Sequence, residues 1–119
     1  MIAYSTYGTL NAAGDNGVNV GHSLTSNCNV HEWWGKMMGD GKEYCINLQD
    51  DFVVCCNYLG SPYGSASPVT PDPSKANGEA YGGDFPAFTI RDQVGVCGCV
   101  CVCVCVCACV ACEVSLVRR

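Results

Sequence analysis

The chain has 119 residues and a mass of 12.6 kDa, enough for one small domain and too little for a large enzyme core. Eleven acidic residues against six basic ones give a net charge of −5, and the few Lys and Arg are scattered, which excludes a nucleic-acid surface built on phosphate contacts. Charge also divides the chain: ten of the acids lie in residues 1–94, whereas the stretch from Gly95 onward carries only Glu113, Arg118 and Arg119.

In chain order, "MIAYSTYGTL" is rich in Tyr and Thr and predicts a strand, ended by the turn residues of "NAAGDNG". This N-terminus has neither a basic region nor an apolar run, so it does not read as a secretory signal; the expected compartment is the cytoplasm, where thiols stay reduced. A second short strand is predicted at "VNVGH". In "SNCNVHEWWGKMMGDG", Asn29 is a candidate N-cap and Val30, Trp33, Trp34, Met37 and Met38 fall at helical spacing before Gly39 and Gly41, so a short helix with a glycine stop is predicted. "DDFVVCCNYLG" is a continuous apolar run between turn signals, the pattern of a strand buried on both faces and typical of parallel sheets.

The following "GSPYGSASPVTPDPSKANGEAYGGDFP" is too dense in Gly, Ser and Pro for helix or strand. Loops of this length in a compact domain are functional or disordered. Thr89 and Asp92, three residues apart in "FTIRDQV", predict a helix start of capping-box type. Strand and helix signals in alternation give an α/β class, with ligands expected at the carboxyl edge of the sheet.

The chemical motifs are incomplete. Gly21-His22-Ser23 is half of a nucleophile elbow, but position 25 is Thr where the motif needs Gly, so Ser23 reads as a turn serine. "GDGK" at 39–42 lacks the first glycine of a P-loop and the Ser or Thr after Lys42. His22 and His31 lack the spacing of a helical zinc pair, so no metal is expected. Cys55 and Cys56 read as small buried hydrophobes. Trp33 and Trp34 cannot share one helix face, which favours a core role over a ligand platform.

Several blocks, "YSTYGTLN", "GHSLTSNCNVHEWWG", "FVVCCNYLGSPYGSASPVT" and "DFPAFTIRDQV", resemble the N-terminal part of homoserine O-acetyltransferases, in the family's order and especially of the fungal type. The resemblance implies an α/β-hydrolase fold, here incomplete and limited to its N-terminal strands and first helices. It implies ping-pong transfer of acetyl from acetyl-CoA, through an acyl-serine, to the hydroxyl of homoserine, towards methionine. Acetyl-CoA is then a co-substrate, no bound cofactor is needed, and the partners are small molecules. The turn matching "HSLT" supplies one oxyanion donor in the family, which carries over to the backbone N–H of Leu24. Such a fixed donor is worth roughly 3 kcal/mol to an acyl-transfer barrier. The loop Asn57–Ser67 resembles one that walls the active-site cleft, making Asn57, Ser61, Tyr63 and Gly64 candidate pocket residues, with turn geometry as the alternative. Ser23 and Ser26 stand where the family has Ala and Gly. The family's nucleophile Ser and its Asp and His have no counterpart in the chain, so a fragment inactive on its own is expected, with "DFVVCC" left bare on one face and prone to aggregate.

The resemblance ends at Val94, where "GVCGCVCVCVCVCACVAC" begins with eight of the twelve cysteines. Residues 1–94 are therefore read as part of an acyltransferase domain and residues 95–119 as a low-complexity tail, irregular or β-like. As a strand the tail would put its thiols on one face and its valines on the other. A metal-thiolate role is the alternative function, although the valine ladder is unlike the polar chains that hold metal this way. A tail anchor is another alternative, since residues 94–112 are uncharged, but Val, Cys and Gly are mediocre helix formers. A repeated GT dinucleotide read in one frame encodes Val-Cys alternation, so read-through of a simple repeat, from a retained intron or a frameshift, explains the tail without any selected function.

Overall fold

Strand β1 (Ile2–Tyr7) lies beside the central strand β5 (Phe52–Cys56) of a four-stranded sheet, completed by β2 (Gly17–Val20) and β6 (Leu116–Arg118) in the order β2-β5-β1-β6. This computed structural model describes residues 1–106 and 116–118, with side chains up to residue 100. The strand β5 is parallel to β2, with Val20 opposite Cys55, and antiparallel to β1, with Tyr4 opposite Cys56. β1 pairs in parallel with β6 on its other side. The sheet is thus mixed, and β5 lacks the all-parallel setting that its apolar run suggested.

Period-2 alternation splits β5 between two cores. Phe52, Val54 and Cys56 pack with Ile2, Tyr4 and Val100, while Val53 and Cys55 pack with Val20, Cys28, Val30 and Met38. Every residue of β5 is buried. The bare face expected from sequence is therefore absent, because helix α2 (Ile90–Val106) covers it.

Helix α2 also corrects the reading of the tail. An irregular or β-like tail is found at Leu116–Arg118, but the chain is helical from Ile90 through Val106. Alternating Val and Cys satisfy a strand period, yet Val96, Cys97 and Val100 lie within one helical turn of one another and meet the sheet together. Residues 107–115 and 119, which carry the rest of the Val-Cys reading, lie outside the described residues. The start of α2 follows the sequence: the Thr89 N–H and hydroxyl donate to the Asp92 carboxylate at 2.7 and 2.8 Å, and the Asp92 N–H donates to Thr89 Oγ1 at 3.2 Å.

Helix α1 spans only Val30–Trp34. Asn29 does not cap it with its side chain, because Asn29 Oδ1 accepts the Tyr7 hydroxyl at 2.8 Å. The helix stops at Gly35, and Met38 goes to the short strand β3 (Met38–Gly39), paired in parallel with β4 (Ile46–Asn47). There Met38 is fully buried beneath β5, which outweighs its fit to a helical period. Trp33 packs on this core while Trp34 faces outward, as adjacent helical positions must.

Candidate active-site cleft

Three segments meet at one end of the sheet. Gly21–Thr25 follows β2, Tyr58–Tyr63 follows β5, and Phe88–Gly98 opens α2; together they enclose a cleft of about 970 Å³. Its position after two parallel neighbouring strands matches the carboxyl-edge rule for α/β sheets. Among the described residues, no Asp, Glu, Lys or Arg lines it.

His22 holds the first two segments together. Its Nδ1 is 2.8 Å from the Ser23 carbonyl, which only an N–H there can satisfy, and its Nε2 accepts the Tyr58 N–H at 3.2 Å. The imidazole is buried and stacks on Tyr58 with 4.1 Å between ring centroids. Both nitrogens are thereby engaged, and His22 cannot act as a base toward the Ser23 hydroxyl. Burial pushes the Tyr58 phenol above its ordinary range, with nearby cysteines adding to the effect.

A tight turn follows, closed by the Ser26 N–H on the Ser23 carbonyl at 3.0 Å. Leu24 sits at its apex with its side chain 96% exposed. No acceptor among the described residues takes the Leu24 N–H, so this amide is available to a ligand at the cleft rim.

Of the other residues singled out from sequence, Ser61 and Tyr63 line the cleft. Asn57 and Gly64 do not. Asn57 is buried beneath the loop, where its side chain accepts the Cys28 N–H at 2.6 Å and donates to the Tyr63 carbonyl. Its own carbonyl accepts the Ser65 hydroxyl at 2.7 Å, and Ser65 Oγ accepts the Ala3 N–H at 3.1 Å. The Asn57 N–H donates to the Ala3 carbonyl at 2.8 Å, so the buried Asn57 has four satisfied polar contacts and joins β1, the Cys28 segment before α1 and the loop. Gly64 has φ of +110°, a conformation that L side chains rarely adopt, so turn geometry accounts for it.

Sequence reasoning missed the helical wall. Gln93 Oε1 accepts the Leu59 N–H at 2.8 Å and its Nε2 donates to Cys97 Sγ at 3.4 Å, tying the Tyr58–Tyr63 loop to α2. Thr89, Gln93 and Cys97 are spaced by four, a helical signal that continues into the Val-Cys repeat and is hidden when the repeat is read as a strand.

Among the described residues, no three His, Cys, Asp or Glu side chains group as a metal site, and no helix is long and apolar enough to cross a membrane.

No protein-family model matches the chain. It is similar to the homoserine O-acetyltransferase of Salinibacter ruber, at 53% identity over 93 residues covering 78% of this chain and 25% of the relative. The homoserine O-acetyltransferases of Ascobolus immersus and Saccharomyces cerevisiae are 45% and 44% identical over 93 residues, covering 78% of this chain and 17% and 18% of their own lengths. The bacterial relative is thus more similar than these two fungal ones, against the fungal leaning expected from the blocks. The chain spans about a quarter or less of the length of these relatives. Among solved structures, esterase E22 superposes with a TM-score of 0.66 at 26% identity, over 80% of this chain and 29% of the esterase; a point mutant of it gives 0.67. Over the stretch that matches, the chain therefore belongs to the homoserine O-acetyltransferase family, and its architecture is an incomplete α/β-hydrolase fold.

Proposed function

We propose that this chain carries the oxyanion side and one wall of an acyl-transfer site of the homoserine O-acetyltransferase type, and that by itself it turns over no substrate. The observation that supports the reading is the Leu24 N–H, without an acceptor among the described residues, at the rim of the cleft. In acyl transfer from acetyl-CoA, negative charge develops on the carbonyl oxygen as the tetrahedral intermediate forms, and a fixed N–H stabilises it without reorganisation. The apolar lining suits the acyl group. The remaining requirements are a nucleophilic serine with a free imidazole and an orienting carboxylate. His22 is committed to structure, and His31 lies exposed on α1, in a different part of the fold from the cleft. The proposed setting is a cytoplasmic one.

The test replaces the matching stretch of the Salinibacter ruber relative with that of this chain. The chimaera is expected to acetylate homoserine, and Leu24→Pro within it, which deletes the N–H, to lower kcat by about a hundredfold or more. Leu24→Ala, which keeps the N–H, should retain activity. Equal rates for Leu24→Pro and the parent chimaera, or acetylation of homoserine above background by the free chain, would overturn the proposal.

A further inference from the structure

Tyr58 lines the cleft with one group that the fold leaves uncommitted. Its backbone N–H is held by His22 Nε2 and its ring stacks on the His22 imidazole, so the side chain is fixed in place. The phenolic oxygen comes to rest over Gly21, only 2.7 Å from the point that a Cβ there would occupy. Gly21 is not among the glycines with positive φ, so room for this hydroxyl, and not backbone conformation, accounts for glycine at the position. The other polar side chains of the lining are engaged or unfixed. The Thr89 hydroxyl donates to Asp92 and the Gln93 amide to Cys97, while Asn19, Thr25 and Tyr63 are exposed to solvent. Ser61 carries a hydroxyl, but among the described residues no hydrogen bond or ring contact orients it. The Tyr58 O–H, also without an acceptor among the described residues, is thus a donor both fixed and free. It lies over the segment that presents the Leu24 N–H, three residues beyond Gly21.

We infer that the Tyr58 hydroxyl is a second hydrogen-bond donor to the acyl oxygen, acting together with the Leu24 N–H on the charge that develops as the tetrahedral intermediate forms. The inference rests on the acyl-transfer reading of the cleft and adds one residue to it. A developing oxyanion accepts more than one hydrogen bond, and a donor fixed beforehand stabilises it without reorganisation. The contribution moves no proton: the hydrogen bond strengthens as the carbonyl oxygen gains charge and weakens as the intermediate collapses. That His22 is committed to structure is therefore no obstacle, since its part is to hold the ring. Burial, with nearby cysteines adding to the effect, keeps the phenol protonated through the neutral range.

Tyr58→Phe removes the hydroxyl and keeps the stacked ring and the backbone N–H. The first measurement uses the full chain with p-nitrophenol as probe, whose phenolate carries an anionic oxygen on a ring that suits the apolar lining. Absorbance titration reads the ionisation of the bound probe, which is expected about one pH unit higher on Tyr58→Phe than on wild type. Gly21→Ala, whose methyl group displaces the phenol, should give the same shift on its own and none further when combined with Tyr58→Phe. The second measurement sets Tyr58→Phe in the Salinibacter ruber chimaera, where kcat should fall by about a hundredfold while KM for homoserine stays the same. A probe that does not bind the wild-type chain, or that ionises alike on wild type and Tyr58→Phe, would overturn the inference. So would an undiminished kcat for Tyr58→Phe beside a reduced one for Leu24→Pro, which leaves the acyl-transfer reading standing. An inactive chimaera, or one in which neither substitution lowers kcat, removes that reading and this inference together.

Discussion

Tyr58 donates its backbone N–H to Nε2 of His22 across 3.2 Å while the two rings stack 4.1 Å apart, so one buried imidazole joins the turn after β2 to the loop after β5. Removing the ring strips an acceptor from the Tyr58 N–H and a donor from the Ser23 carbonyl. His22→Ala is expected to cost about 2 kcal/mol, which corresponds to a fall in Tm on the order of 8 °C. Thermal unfolding followed by circular dichroism checks this, and an unchanged Tm would show that the ring does not hold the cleft together.

Asn57 has a larger structural share than its place in a loop suggests. Asn57→Ala leaves the buried Cys28 N–H and the part-buried Tyr63 carbonyl without partners, at an expected cost of about 2 kcal/mol. Asn57→Asp keeps the acceptor for Cys28 but sets a carboxylate oxygen against the Tyr63 carbonyl, so it too should destabilise. Urea midpoints for both variants measure the effect; values equal to wild type would return Asn57 to the role of a cleft-lining residue.

Two substitutions in α2 separate a helix that covers the sheet from a tail that merely follows it. Val100 is fully buried against β5, and Val100→Ala is expected to lose about 2 kcal/mol of stability. Gly95 is exposed with nothing near its missing Cβ, so Gly95→Ala should gain up to about 1 kcal/mol from helix propensity. If both changes leave the unfolding transition where it was, the Val-Cys stretch does not form this helix.

The start of α2 is expected to be acid-labile. Hydrogen bonds from the Thr89 N–H and then from its hydroxyl hold the Asp92 carboxyl below its ordinary value of 3.8, against a small opposing effect of desolvation. A depressed folded-state value means that the stabilisation is complete above about 3.8 and is lost as pH falls through the lower, folded-state value. Asp92→Asn should therefore flatten the acid limb of the stability profile and leave the neutral plateau slightly lower. Equal acid limbs in helical circular dichroism for the variant and wild type would remove Asp92 as the cause.

The parts legible in sequence were those decided by neighbours along the chain. β1, β2 and β5 carry their own apolar or β-branched runs, and the Thr89–Asp92 box closes within three residues. The turn at Leu24 and the loop at Ser61 and Tyr63 were found through the homoserine O-acetyltransferase resemblance, not through any local pattern. What local pattern misjudged were the segments where a distant contact outweighs propensity. Met38 fits a helix but is drawn into a strand beneath β5, and Asn29 has the chemistry of a cap but gives its oxygen to Tyr7, 22 residues away.

By itself, then, the sequence determined the α/β class, the strands β1, β2 and β5 and the start of helix α2. Tertiary structure decided that β5 is flanked by one parallel and one antiparallel neighbour, that His22 is tied up by Ser23 and Tyr58, and that Asn57 braces the loop instead of lining the cleft. It also decided the conformation of the Val-Cys stretch up to Val106. Alternating valine and cysteine offer a strand one apolar face and a helix another. The helix is formed because Val96, Cys97 and Val100 then meet the otherwise uncovered face of the sheet, a gain no local period can encode.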